Sequence, residues 1–552
     1  MRALSRTGWL AVLLGALIVV TIALGAVLAY QKGSLPIGNG LTPAATPTTA
    51  VPQGIYREAV VGTPTMLNPL LATNQVDRDL SALIFSGLTR ADARGEIVPD
   101  LAESWKVEED GRRYVFTLRQ GVTWHDGQPF TARDVLFTIQ LMQDAAFPGS
   151  PVLADFWRTV AVETPDDRTV ICTLPRTFAP FLAYTGIGIL PEHLLASVKS
   201  GDLPNDAFNL QPVGTGPFAF EELDTAKVEV ALKPHAAYYG QKAQLEGLRF
   251  RAYPNTQAAI QAVVQGDVDG IGYIPARSLP QAGAIGNTAN VYGPSLAGYT
   301  ALFLNLKKPA FAEREVRQAL ALATDREALV RDGLQGWGTP GNSPILPSSW
   351  AYAAQSWPHD VTRAKQLLDG AGWKPAADGV LQKNGQRLEF QLLTDNDPAR
   401  SAVANLLAAQ YGAIGAKVIV VVRTPEEVTQ LVATRNYESA LSGWEGLAAD
   451  PDPYQGWHSS QAETGYNFAD WTNQQADQLL EEGRLTTDNG KRKAAYATFQ
   501  QIFATEVPSL ILYYPQYHFA VSKRIEGVTA DPLDTPADRF RNIADWHFAA
   551  NP

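Results

Sequence analysis

The chain is 552 residues long with a net charge of −11, and 45% of its residues are hydrophobic against 18% charged. That length exceeds what one core can serve, and the composition excludes general disorder. The acidic balance argues against nucleic acid as a partner, and the single cysteine, Cys172, excludes an intrachain disulfide or a thiolate-ligated zinc.

The first predicted element is at the N-terminus. Arg2 and Arg6 precede an uncharged run over residues 9–29. About 20 apolar residues span a bilayer, whereas the apolar part of a cleavable signal is usually about 7–15 long. Residues 1–32 therefore read as a transmembrane anchor or uncleaved signal, with everything after Lys32 outside the cytoplasm. The other reading is a long cleavable signal ending near Ala29; both export the chain. No cysteine follows the run, which leaves no lipoprotein attachment point. Residues 33–54 are rich in Pro, Thr, Gly and Ala and read as an extended linker.

From Arg57 onward helix-like and strand-like segments alternate, which predicts an α/β class. Tyr114, Phe116 and Leu118 alternate with Val115 and Thr117 as in a strand, and Asp126-Gly127 marks a turn. Thr131 and Asp134 form a box-like helix start, with Val135, Leu136 and Ile139 as the inward face. Thr256 is expected to cap a helix that ends at Gln265, with Gly266 as a left-handed stop. Thr324 and Glu327 form a second box-like pair, and Asp360 caps a helix carrying Ala364, Leu367 and Leu368. A helix over 399–411, broken at Gly412 and Gly415, leads into a strand over 417–422 expected to be buried, which completes one α/β unit.

Catalytic and metal constellations are sparse. No GxSxG elbow, P-loop or intact GxGxxG occurs. Gly214-Thr215-Gly216 reads as a tight turn, and Asp267-Val268-Asp269-Gly270 lacks the spacing of a calcium loop. Asp450-Pro451-Asp452-Pro453 has two readings, a cation or acid/base site or a rigid turn whose aspartates accept local backbone hydrogen bonds; the second is favoured. The positive signal is aromatic: 12 Trp, 19 Tyr and 21 Phe, many of them in loop-like sequence near Trp337, Trp350, Trp357, Trp444, Tyr454, Trp457 and Tyr466. Small-molecule pockets favour such walls with a few placed polar groups.

Several stretches are more specific together than alone. They include Gly62-Thr63-Pro64-Thr65-Met66-Leu67-Asn68-Pro69, Pro99-Asp100-Leu101-Ala102-Glu103-Ser104-Trp105 and Trp124-His125-Asp126-Gly127-Gln128-Pro129-Phe130. Leu190-Pro191-Glu192-His193-Leu194-Leu195, Phe303-Leu304-Asn305-Leu306, Val316-Arg317-Gln318-Ala319-Leu320 and Tyr466-Asn467-Phe468 follow in order. Over roughly residues 57–545 the chain resembles the peptide/nickel class of ABC-importer solute-binding proteins, the dipeptide- and oligopeptide-binding family.

The resemblance implies a bilobed α/β binding-protein fold, type II and cluster C-like, with an additional third lobe. Lobe I would combine 55–85, 208–296 and 516–552, the extra lobe would be 86–207, and the second ligand-binding lobe 297–515. It implies a non-catalytic, monomeric capture subunit outside the cytoplasm, without cofactor, delivering a peptide or related solute to a permease and its ATPase subunits. It also implies a ligand site at Asn74, Trp350, Trp444, Glu445, Leu447, Asp450, Tyr466 and Asn467. Where peptide binders of this class hold the ligand's α-ammonium with an aspartate, this chain aligns Leu447, so Glu445 or Asp450 would have to replace it or the ligand lacks a free amine. The alternatives are a surface hydrolase using Asp or Glu in the cleft, a nickel-chelate binder near His458, or a solute sensor on the same fold.

Overall fold

The computed structural model describes residues 54–353, 355, 357–447, 450–463 and 465–550. The segment expected to anchor the chain, 1–32, and nearly all of the linker lie outside them. Among the described residues no helix is long and apolar enough to cross a membrane.

Three larger sheets organise the fold. The seven-stranded sheet runs in the order Ala289–Tyr292, Phe519–Ser522, Gly270–Ile271, Ile55–Val61, Gly247–Tyr253, Glu229–Pro234, Phe218–Asp224. The six-stranded sheet runs Thr339–Pro340, Ser509–Tyr514, Gly298–Leu304, Ser439–Glu445, Glu389–Asp395, Lys417–Arg423. A four-stranded antiparallel sheet is built from Ala102–Glu108, Arg113–Leu118, Thr169–Thr173 and Ala161–Asp166. Each of the two larger sheets thus draws on distant parts of the chain and mixes parallel with antiparallel pairs.

Sequence explains which strands are central. Every residue of Gly298–Leu304 is buried. Leu302 and Leu304 enter one core while Tyr299, Ala301 and Phe303 enter another on the opposite face. A continuous apolar run is what a strand covered by helices on both sides requires. Lys417–Arg423 is different. It lies at the sheet edge, with Ile419 and Val422 exposed and Val418, Val420 and Val421 only partly buried against the cores, so the expectation of a buried strand is corrected.

Local signals meet the expected termini with some shifts. Thr131 and Asp134 form a capping box, Asp360 caps Val361–Gly370, and Gly266 is left-handed at φ 78°. Two caps are corrected by one position. Asn255, not Thr256, caps Thr256–Gln265, and Asp325 accepts from the Ala328 N–H while Thr324 ends the preceding helix. In both places the cap is an Asn or Asp on extended backbone, whose side-chain oxygen reaches the N–H three residues on. The Gly214-Thr215-Gly216 turn is packed so closely on the helix Gln75–Ile84 that a Cβ at Gly214 would overlap the Ile84 carbonyl oxygen.

The chain crosses between the two larger sheets at 293–297 and again at 515–518. The crossings are paired: Leu296 N–H donates to Pro515 O (3.0 Å), and Tyr517 N–H to Pro294 O (2.9 Å). The C-terminal segment joins them, since Leu533 N–H donates to Ser295 O (2.9 Å) and Ala297 N–H to Leu533 O (2.7 Å).

That segment is fastened by a buried ion cluster. Arg539, fully buried, donates to Glu58 Oε1 (2.6 Å) and Asp79 Oδ2 (2.7 Å), and Tyr56 O–H donates to Glu58 Oε2 (3.0 Å). Burial pushes the Glu58 carboxyl up, and Arg539 pulls it back toward the ionised form. Removing one partner from a buried ion cluster costs about 3–5 kcal/mol, because the other charges are left uncompensated. Arg539→Met is therefore expected to lower the unfolding free energy obtained from urea denaturation by that order, with a correspondingly lower midpoint. Combining it with Glu58→Gln and Asp79→Asn should restore most of the loss, and an unchanged midpoint for the single variant would contradict this account.

Candidate functional site

A cavity of about 310 Å³ opens where the three larger sheets' surrounding segments meet. The six-stranded side supplies Tyr299, Trp444, Leu447 and Trp457, the four-stranded side's neighbourhood supplies Asp92 and Tyr184, and the C-terminal segment supplies Pro532 and Asp534. A second chamber of about 690 Å³ shares Gly446, Leu447 and Asp534 with it and extends past Arg90, Arg119 and Arg541.

Backbone geometry sets the shared wall. The strand Ser439–Glu445 ends at Gly446, whose φ of +67° reverses the chain as an L side chain rarely does. Leu447 N–H then donates to Ala297 O (3.2 Å). Ala297 is the residue bonded to Leu533, so Leu447 and the start of the C-terminal loop are held on either side of one crossing strand. The Trp444 indole lies parallel to Phe468 (centroids 5.2 Å apart, 4° between planes) with Tyr466 edge-on at 5.4 Å. Offset aromatic stacks of this kind make stiff walls.

The expected site residues separate into groups. Trp444 and Leu447 line the cavity, and Tyr466, 45% exposed, braces Trp444. Glu445 is exposed beside them on the same strand and does not line it. Asp450 accepts two hydrogen bonds from Arg492 (2.6 and 3.0 Å), and Arg492 lies over the Trp350 ring at 4.9 Å. Asp450 and Trp350 thus share a neighbourhood beside the cavity without lining it. Asn467 is fully buried, donating to His458 O and Trp471 O and accepting from Trp471 N–H, which occupies its side chain with backbone. Asn74 caps Gln75–Ile84, accepting from Asp77 N–H and donating to Asp77 Oδ2.

The Asp450-Pro451-Asp452-Pro453 turn is also corrected in its chemistry. Its aspartates hold arginines rather than local backbone N–H groups, because the prolines on either side leave few donors within reach. Asp452 Oδ2 accepts from Arg484 (2.6 and 3.1 Å). Arg484 also lies over Tyr454 (4.1 Å) and Phe178 (5.2 Å), and its carbonyl accepts from Ala179 N–H (2.9 Å). One arginine therefore ties the segment after the four-stranded sheet to the cavity's rim. His458 bonds to the Ser460 hydroxyl (2.8 Å) and does not line the cavity.

Sequence reasoning passed over Asp534. No named motif surrounds it; the only local cue is Asp531-Pro532-Leu533-Asp534-Thr535-Pro536, a stiff acidic stretch of the same type as residues 450–453. Its Oδ2 is buried without a hydrogen-bond partner among the described residues, 3.8 Å from Arg541 Nη2. Burial, with Asp538 and Asp92 nearby, pushes its carboxyl up to about 7 despite Arg541.

Comparison with known proteins agrees on one family. Residues 96–466 match the model described as bacterial extracellular solute-binding proteins, family 5 middle. The chain is 30% identical over 500 residues to the oligopeptide-binding protein AppA of Bacillus subtilis, covering 89% of this chain and 90% of the relative. Solved structures that it resembles include that AppA in complex with a nonapeptide (28% identity, TM-score 0.69, 91% of this chain and 100% of the other). Another is NikZ of Campylobacter jejuni in complex with Ni(L-His) (28% identity, TM-score 0.71, 90% and 100%).

The raised Asp534 carboxyl has a measurable consequence. An unfolded aspartate titrates near 3.9. Between about pH 4 and 7 the folded state therefore binds the extra proton, and the stability this group contributes falls as pH rises through that window. For ligand-free protein, the melting temperature of Asp534→Asn minus that of the parent is expected to rise from pH 4 to 7 and level off above. A difference that stays flat would rule out the shift.

Proposed function

Since the chain belongs to family 5 of the bacterial extracellular solute-binding proteins, we propose that it captures peptides or a closely related solute in the cavity and delivers them to a membrane ABC permease. The observation that carries this reading is the position of the cavity. Its walls come from both sides of the paired crossings 293–297 and 515–518, so a bound solute bridges the two larger sheets between which the chain passes at those crossings. A ligand that touches both sides favours the arrangement in which the sides are together, and a permease can respond to that population.

In this reading the seven-stranded sheet belongs to lobe I, the six-stranded sheet to the second ligand-binding lobe, and the four-stranded sheet to the extra lobe. The crossings act as the hinge, and Arg484 with Phe178 and Ala179 acts as a latch between the extra lobe and the ligand-binding lobe. Trp444 and Leu447 contact the solute directly, while Asp450, Trp350 and Tyr466 stiffen the wall behind them. Peptide as the solute is supported by the relatedness to AppA, whose structure holds a nonapeptide, and by the second chamber, which gives a longer ligand room to extend. The family consists of solute-binding proteins, and the two aspartates that a hydrolase would need at 450 and 452 are engaged by arginines. Residues 1–32 tether the monomer to the outer face of the cell membrane, with 33–54 as spacer, and the ATPase subunits lie beyond the permease on the cytoplasmic side.

Mass spectrometry of solute released from the purified protein should return peptides, and calorimetry with a defined peptide should show binding without turnover. Trp444→Ala removes a large aromatic contact and is expected to weaken affinity roughly ten-fold, about 1.4 kcal/mol, with the melting temperature within a few degrees of the parent. Unchanged affinity would remove Trp444 from the site, and hydrolysis of the peptide would overturn the binding reading.

A further inference from the structure

The charged residues lining the smaller cavity are Asp92, Asp452 and Asp534, with no Lys or Arg among its described lining residues. Their electrostatic situations differ. Asp452 is matched by Arg484 through two hydrogen bonds. Asp92 spends one oxygen on its own turn, accepting from Arg94 N–H (2.8 Å) and Glu96 N–H (2.9 Å). Asp534 has only Arg541, at 3.8 Å and outside hydrogen-bond range, and Arg541 is shared with Asp538 at 3.5 Å. The Nε and Nη2 of that arginine likewise lack hydrogen-bond partners among the described residues. The cavity therefore carries an uncompensated negative charge, and it is placed on the one charged residue among the described lining residues that both chambers share.

We propose that Asp534 is the residue that selects an organic ammonium group on the ligand, drawing it against the Leu447 wall from the C-terminal loop. The inference rests on the proposed capture of solutes in this cavity and adds the charge that the solute must carry. Leu447 offers an ammonium nothing, while Asp534 is held at the same wall through the chain Leu447–Ala297–Leu533 of backbone hydrogen bonds. Its side chain is 26% exposed, so a ligand atom can reach it, while its buried Oδ2 keeps water from satisfying the charge fully. A carboxylate left in this condition favours the proton, in keeping with the upward shift already described, and a cation that displaces the proton and donates to the carboxylate offsets part of the desolvation. The neighbouring Asp92 and Asp538 add attraction for the same sign of charge, and Arg541 reduces it without pairing. A peptide's α-ammonium and a lysine side chain share this chemistry.

The test compares the full-length parent with Asp534→Asn by calorimetry, using four probes. These are alanyl-phenylalanyl-leucine, its N-acetyl form, N-acetyl-alanyl-lysyl-leucine, and phenethylamine as an ammonium without a peptide. The free-amine peptide is expected to bind the parent and to lose at least ten-fold in affinity in the variant, with the N-acetyl form binding both weakly and alike. If instead the acetylated lysine peptide is the one that suffers the loss, the ammonium is a side chain's and the inference stands. Equal affinity of parent and variant for the free-amine peptide and the lysine peptide overturns it, while leaving peptide capture intact. If no peptide binds the parent, capture of peptides fails by itself. The inference then survives only if phenethylamine binds the parent at least ten-fold tighter than the variant, and is overturned if it binds neither or both alike. Circular dichroism and melting confirm that the variant is folded; should Asp534→Asn not fold, Asp534→Ser gives the same comparison.

Discussion

A single guanidinium placed between two buried carboxylates underlies much of what surrounds the cavity. Arg539 brings the C-terminal loop onto the first strand through Glu58 and onto the first helix through Asp79. The space around it is filled: a Cβ at Gly272 would lie 2.6 Å from Glu58 Oε1 and 2.8 Å from Arg539 Nη2. Charges taken out of water hold a structure only when their partners are in place, so this cluster has one workable arrangement and a high cost for any other. Trp546 adds to it, packed edge-on against Tyr56 at 5.4 Å. The consequence lies a few residues away, where Asp534 and Arg541 are carried to the cavity by a loop that cannot shift without breaking the cluster.

The same economy of charges appears at the rim. Asp450 and Asp452 are each matched by one arginine from the helices Gln474–Leu485 and Asn489–Glu506, and those arginines stack on Trp350, Tyr496, Tyr454 and Phe178. Planar guanidinium groups serve both roles at once, pairing with a carboxylate at the edge and an aromatic at the face. Trp444 belongs to this frame as well. Phe468 and Tyr466 fix its ring, so that it presents a pre-set surface on the cavity wall. Against this background of matched charges, Asp534 stands apart because its nearest cation is too far to bond and already shared.

Much of the local architecture was legible in the chain. The capping signals at Thr131, Asp360 and Gly266, the alternating strand at Tyr114, and the helix and strand on either side of Gly412 depend on contacts within a few residues. The caps at Asn255 and Asp325 were missed by one position because adjacent polar side chains compete for the same N–H groups, and sequence does not say which backbone is extended. The edge position of Lys417–Arg423 was missed for another reason: Val and Ile on a strand do not reveal whether a neighbour covers their outer face. Trp444 and Leu447, expected through the resemblance, line the cavity, while Asn74 and Asn467, expected on the same ground, spend their side chains on neighbouring groups of their own segments.

By itself the sequence determined the α/β class, the helix starts at Thr131 and Asp360 and the stop at Gly266, the family, the absence of recognised nucleophile and phosphate-binding motifs, and the stock of aromatic side chains available for a wall. Those depend on short-range periodicity, local hydrogen bonding and ordered landmarks, all of which are written along one dimension. Only the tertiary structure decided which aspartates are neutralised and which is not. Glu58 and Arg539 are 481 positions apart, Asp450 and Arg492 42 apart, and Asp452 and Arg484 32 apart. The character of a carboxylate depends on the charge and the water within a few ångströms of it, and that neighbourhood is assembled by pairing across the whole chain rather than by anything adjacent in sequence.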